Sequence, residues 1–70
     1  MKKLTATYTR DAAGRHCTLR DLETGTIEHV VTVPAGTHCS DPQFVKDVKS
    51  WAARNNAWIT ESTYAPLETP

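Results

Sequence analysis

Leu4-Thr5-Ala6-Thr7-Tyr8-Thr9-Arg10, followed at once by Asp11-Ala12-Ala13-Gly14, decides the architecture of this chain. Leu4, Ala6 and Tyr8 alternate with Lys3, Thr5, Thr7 and Thr9, so an extended backbone puts the apolar side chains on one face and the polar ones on the other. Threonine and tyrosine also favour pleated structure. Asp11-Ala12-Ala13-Gly14 reads as a type I turn closed by a glycine able to take positive φ, the chemistry of a short bulged hairpin. A second strand then begins near Arg15, with Cys17 and Leu19 inward and His16, Thr18 and Arg20 outward.

Leu22-Glu23-Thr24-Gly25 repeats that turn chemistry. In the strand that follows, Ile27, His29, Val31 and Val33 fall on the inward side and Glu28, Val30 and Thr32 on the outward side, until Pro34-Ala35-Gly36 ends the pairing. The three strands form an antiparallel meander. Ser40-Asp41-Pro42-Gln43 is a helix start, with Ser40 as cap, Gln43 completing a capping box and proline in the first turn. The helix is expected from Asp41 to Asn55, because Phe44, Val45, Val48, Trp51 and Ala52 recur at helical spacing while Lys46, Asp47, Lys49 and Arg54 fall on the opposite side. Trp51 is read as a core anchor. Asn55-Asn56 suits a left-handed C-cap, and Ala57 to Tyr64 reads as a fourth strand. Strict alternation sets Trp58 and Tyr64 on one face and Ile59, Glu61 and Thr63 on the other, and burying the larger aromatic favours Trp58 inward.

The expected fold is therefore α+β, a small antiparallel β-sheet with one helix packed on one face, in the order β-β-β-α-β. A single domain over residues 1–64 is expected, with a flexible tail at 65–70, where two prolines break any element. With 70 residues, 39% of them apolar, the core must be small. Met1-Lys2-Lys3 resembles the basic start of a signal peptide, but no apolar run follows it, and no segment is long and apolar enough for a membrane span. A cytoplasmic protein without a membrane partner is expected, with Cys17 and Cys39 reduced.

The search for chemistry is mostly eliminative. No G-x-S-x-G, G-x-x-x-x-G-K or G-x-G-x-x-G occurs, and Ser40 is explained as a cap, so no catalytic residue is assigned and a non-enzyme is expected. No cofactor is expected either. His16, Cys17, His38 and Cys39 could together serve a small metal or redox protein, but neighbouring strand residues point to opposite faces and no C-x-x-C spacing is present. Cys39 beside a helix start suits a thiolate, although an inert loop thiol explains it as well. His29, on the inward side, reads as a partly buried structural histidine.

What remains is the sheet face that no helix covers. It is expected to carry the binding residues Arg20, Thr5, Thr7, Thr18, His16 and Val30. The leading expectation is a non-catalytic protein–protein interaction module, a small regulator or inhibitor of the bacteriophage or mobile-element type, with either a protein partner or a second copy as homodimer. The alternative is a nucleic-acid-binding domain in which Lys2, Lys3, Arg15 and Arg20 contact phosphates from the three-stranded sheet. A formal net charge of zero counts against it.

Overall fold

The computed structural model describes residues 1–37 and 40–64; His38, Cys39 and the tail expected at 65–70 lie outside the described residues. The elements are β1 (Lys2–Asp11), β2 (Gly14–Asp21), β3 (Ile27–Pro34), α1 (Asp41–Arg54) and β4 (Ala57–Tyr64), in the β-β-β-α-β order read from the sequence. One four-stranded sheet has the order β3-β2-β1-β4. It is mixed rather than wholly antiparallel, because β4 pairs with β1 in parallel. The meander already makes β3 parallel to β1. A helix of 14 residues at about 1.5 Å per residue returns the chain most of the way along an eight-residue strand at about 3.3 Å per residue. β4 therefore restarts near the end where β3 began and runs the same way, on the far side of β1.

The turns form as their chemistry requires. Ala12 and Ala13 link β1 to β2, with the Asp11 carboxylate accepting from the Ala13 N–H at 2.9 Å. Gly14 closes this hairpin at φ +136°, and a Cβ there would stand 2.1 Å from the Val33 carbonyl oxygen. At the second turn the Asp21 carboxylate accepts from the N–H groups of Glu23 (2.8 Å) and Thr24 (3.1 Å). Ser40 caps α1 by accepting from the Gln43 N–H at 3.3 Å, while the Gln43 side-chain amide donates to Asp47. Asn55 ends the helix, and Asn56 takes the left-handed conformation that turns the chain into β4.

Leu4, Ala6 and Tyr8 from β1, Cys17 and Leu19 from β2, and Phe44, Val48 and Ala52 from α1 are all buried. Leu4, Cys17, Leu19 and Val48 have no exposed surface, so the core is centred where the middle of α1 crosses the two inner strands. Tyr8 meets Phe44 edge-on at 5.9 Å and stacks on Tyr64 at 4.7 Å. Trp51 is not in this fully buried set. It is half-buried at the margin, its indole stacked flat on the His29 imidazole at 4.3 Å. The helix phase is right, and Trp51 packs against the margin of the core cluster on the β3 side of the sheet.

Two irregularities change which residues face which way. In β4 the register with β1 shifts between Leu4 and Thr5, so Ile59 pairs with Leu4 and Glu61 with Thr5, leaving Thr60 as the extra residue. The Thr60 hydroxyl donates to the Leu4 carbonyl at 3.3 Å. Because one added residue inverts the alternation, Ile59 and Tyr64 share the core face. Trp58, paired with Lys3, lies on the other one. The expected inward Trp58 is therefore corrected: it is 60% exposed. A second shift, between Leu19 and Arg20, pairs Ile27 with outward-facing Arg20 and leaves Ile27 exposed instead of in the core.

Leu19→Ala should cost about 3 kcal/mol, against less for Trp51→Ala, because only Leu19 is wholly enclosed. Chemical denaturation of the two variants checks the order, and an equal or larger loss at Trp51 would contradict this packing. The buried Tyr8 hydroxyl makes no well-formed hydrogen bond among the described residues, with only the weakly accepting Cys17 sulfur beside it. Tyr8→Phe should thus leave stability unchanged or raise it by up to about 1 kcal/mol, since it removes a poorly paired polar group and keeps the ring.

Candidate interaction surface

With α1 on one side, the opposite side of the sheet is left open, and the pairing register lays out its residues in rows. Trp58 is paired with Lys3, and the Leu22 N–H donates to the Lys3 carbonyl at 2.9 Å. The next row reads Glu61, Thr5, Arg20 and Ile27 across β4, β1, β2 and β3. Thr63, Thr7, Thr18 and Val30 form the third row, and Thr9, His16 and Thr32 the fourth. All six residues assigned to binding from the sequence, Arg20, Thr5, Thr7, Thr18, His16 and Val30, thus stand on this one face.

Their environments differ. Thr5, Thr7 and Thr18 are half-buried by their neighbours, whereas Arg20 and Val30 are exposed. The Arg20 guanidinium donates one bond to the Gly25 carbonyl at 3.0 Å, which orients it beside the β2–β3 turn and leaves further N–H donors for a ligand. His16 is tied to the far end of the face through the Asp11 carboxylate at 3.0 Å. That contact, the largest influence on Asp11, lowers the pKa of its carboxyl group, with the Ala13 N–H adding to it.

Sequence reasoning missed Ile27 as a member of this surface and offered Trp58 as an interface anchor only as the alternative to an inward position. Both owe their exposure to a register shift, and neither shift is marked by a glycine that could have signalled it. The apolar points Leu22, Ile27, Val30 and Trp58 are each between 45% and 60% exposed. They are spread among Lys3, Arg20 and Glu61, so the face is mixed in both polarity and charge. Of the four basic residues considered for phosphate contact, only Lys3 and Arg20 belong here. Arg15 pairs with Val33 on the register of the helix-covered face, and Lys2 forms an ion pair with Glu28 at 2.7 Å.

His16 and Cys17 point to opposite sides of β2. Cys17 is wholly buried, and burial pushes its thiol up to about 11, the reverse of what a reactive thiolate requires. Among the described residues no group of three or more His, Cys, Asp or Glu side chains is placed to hold a metal. His38 and Cys39, the other half of the metal or redox reading, lie outside the described residues. No helix among the described residues is long and apolar enough to cross a membrane. No family model, curated protein or solved structure matches this chain.

Burial of the Cys17 thiol and the Tyr8 phenol makes stability depend on alkaline pH. The Tyr8 phenol is raised well above its ordinary value, by burial first and then by neighbouring Cys17 and Tyr64. The folded state keeps both protons at pH values where the unfolded chain releases them, so stability must fall as pH rises. The loss should begin near pH 9.0, the ordinary thiol value, and continue toward about 11. Thermal melts between pH 7 and 11 check this, and Cys17→Ala should flatten the first part of the decline.

Proposed function

We propose that this chain is a non-catalytic protein-interaction module, a small regulator or inhibitor that acts by occupying a partner's surface with its uncovered sheet face. The observation that carries this reading is the exposure of Trp58, Ile27 and Val30 on that face, set among Lys3, Arg20 and Glu61. Isolated exposed apolar residues are ordinary, but several on one flat sheet side with an arginine between them have the composition of an interface centre. The molecule's broad side measures 38 by 21 Å, commensurate with the roughly 800 Å² per partner of a standard interface. Its size and motif-free sequence suit the accessory proteins of bacteriophages and mobile elements.

The mixed charge weighs against a nucleic-acid ligand. A phosphate-tracking surface needs clustered lysine and arginine, whereas here Glu61 stands in the same row as Arg20, and Lys2 is neutralised by Glu28. Arg20 is the expected energetic centre, since its planar fork pairs with carboxylates and stacks on aromatic rings, while single threonines contribute little.

Affinity capture from the source cell followed by mass spectrometry identifies the partner, and calorimetric titration measures it. Arg20→Glu should weaken that binding by about 1–2 kcal/mol with the fold intact. Unchanged affinity for both Arg20→Glu and Val30→Lys would remove the site from this face.

A further inference from the structure

The sheet has two outer strands, and they differ in how their free edges are guarded. β3 ends in Pro34 and carries Glu28, which is held in an ion pair with Lys2. These are the usual devices against unwanted strand pairing. β4, by contrast, has eight residues without proline or a basic side chain, Ala57-Trp58-Ile59-Thr60-Glu61-Ser62-Thr63-Tyr64, and Glu61 is its one charge. Its bulge is turned to β1, where Thr60 is bonded. Among the described residues, the outer row of backbone groups on β4 has no partner strand.

Beside that edge runs a groove of about 330 Å³ between α1 and β4, lined by Lys49, Ala52, Ala53, Ala57, Trp58 and Ile59. The three alanines leave room for a side chain, and Trp58 forms one wall from the rim of the sheet. An adjoining depression shares Lys49 and Ala53 and continues along α1 past Lys46. Neither Lys46 nor Lys49 has an ion-pair partner among the described residues, in contrast to Lys2. An unguarded edge, an apolar groove and two unanswered cations thus lie side by side.

We infer that the free edge of β4 receives an extended, acidic segment of a partner protein. The segment's main chain pairs with β4, an apolar side chain enters the groove beside Trp58, and its carboxylates meet Lys49 and Lys46. In such strand addition the backbone bonds supply affinity and the alternating side chains supply specificity. A second copy of this chain fits less well, because its β4 contributes only Glu61 and its α1 sets the same lysines against these. The inference rests on the protein-binding reading and shares Trp58 with that face, but its contacts are the β4 edge and the lysines of α1 rather than Arg20.

The probes are acetylated octapeptides Thr-Val-Thr-Glu-Thr-Glu-Thr-Val, in which valine and glutamate share one face of the strand, the same with lysine in place of glutamate, and the glutamate peptide with a central threonine replaced by proline. They are titrated into the ¹⁵N-labelled chain at low salt. The glutamate peptide should shift the amides of residues 57–64 and slow their hydrogen exchange. The lysine peptide and the proline peptide should bind at least tenfold more weakly. Lys49→Glu should cost the glutamate peptide about tenfold in affinity, with Arg20→Glu leaving it unchanged. Equal binding of acidic and basic peptides, absence of saturable binding, or shifts confined to β3 would overturn the inference. So would protection of β4 amides that rises with protein concentration alone, which would assign the edge to a second copy. If the peptides fail while Arg20→Glu still weakens the native partner, the sheet-face reading stands and only this one falls.

Discussion

β1 is hydrogen-bonded along both edges, to β2 on one side and β4 on the other, and its alternation fixes the sidedness of the whole sheet. Leu4 and Ala6 reach the core only because Thr5 and Thr7 point away from it, and Cys17 and Leu19 follow by direct pairing. α1 has a single place to bury Phe44, Val48 and Ala52, which is over these residues. The helix in turn decides the last strand. A chain that has crossed the sheet once must re-enter it beside β1 or beside β3, and the place taken buries Ile59 and Ala57 against the same core. The parallel β1–β4 pair is therefore a consequence of having one helix and one apolar stripe, not an independent feature.

Period-two and period-3.6 patterns made most of this visible in the sequence. The strand and helix bounds follow from Leu4-Thr5-Ala6-Thr7-Tyr8, from the glycines at 14 and 25, and from the Ser40 cap, because each of these acts over a few residues of chain. Facing is less local. Alternation counted from either end of β4 gives opposite answers for Trp58 and Ile59, and only the pairing with β1 tells which count to keep. The hydroxyl of Thr60 bonded to Leu4 is what pins the extra residue at that point. The same holds for Ile27, whose facing is set by Arg20 across the strand rather than by its own neighbours. The parallel direction of β4 was equally out of reach, since no local signal encodes which strand a crossover returns to.

These register shifts also shape the candidate site. Had β4 run without its bulge, Trp58 would have been spent on the core and the outer face would have been a threonine sheet with one arginine. The shift separates two aromatics that strict alternation would put on one face: Trp58 lies on the outer side, while Tyr64 lies on α1's side of the sheet and stacks on Tyr8. Apolar area is thereby divided between two surfaces of a chain that has little to spare, which costs stability unless the exposed part meets something. The Trp51–His29 stack is a second instance: both rings pack at the margin of the core and stay only half-buried.

Charge follows the same division. The carboxylates that shape the turns are occupied, Asp11 by His16 and Ala13 and Asp21 by Glu23 and Thr24, and hydrogen bonding lowers the pKa of both. Glu28 is held by Lys2. Asp11, Asp21 and Glu28 are thus committed to holding the meander together, whereas Lys46 and Lys49 on α1 make no ion pair among the described residues. A neutral chain can in this way present a locally basic strip next to an unguarded strand edge without any excess of lysine in its composition. Net charge alone counts against nucleic-acid binding by phosphate neutralisation. The arrangement of the charges discounts only a continuous polyanion, and it leaves room for a short acidic peptide whose backbone needs a strand to pair with.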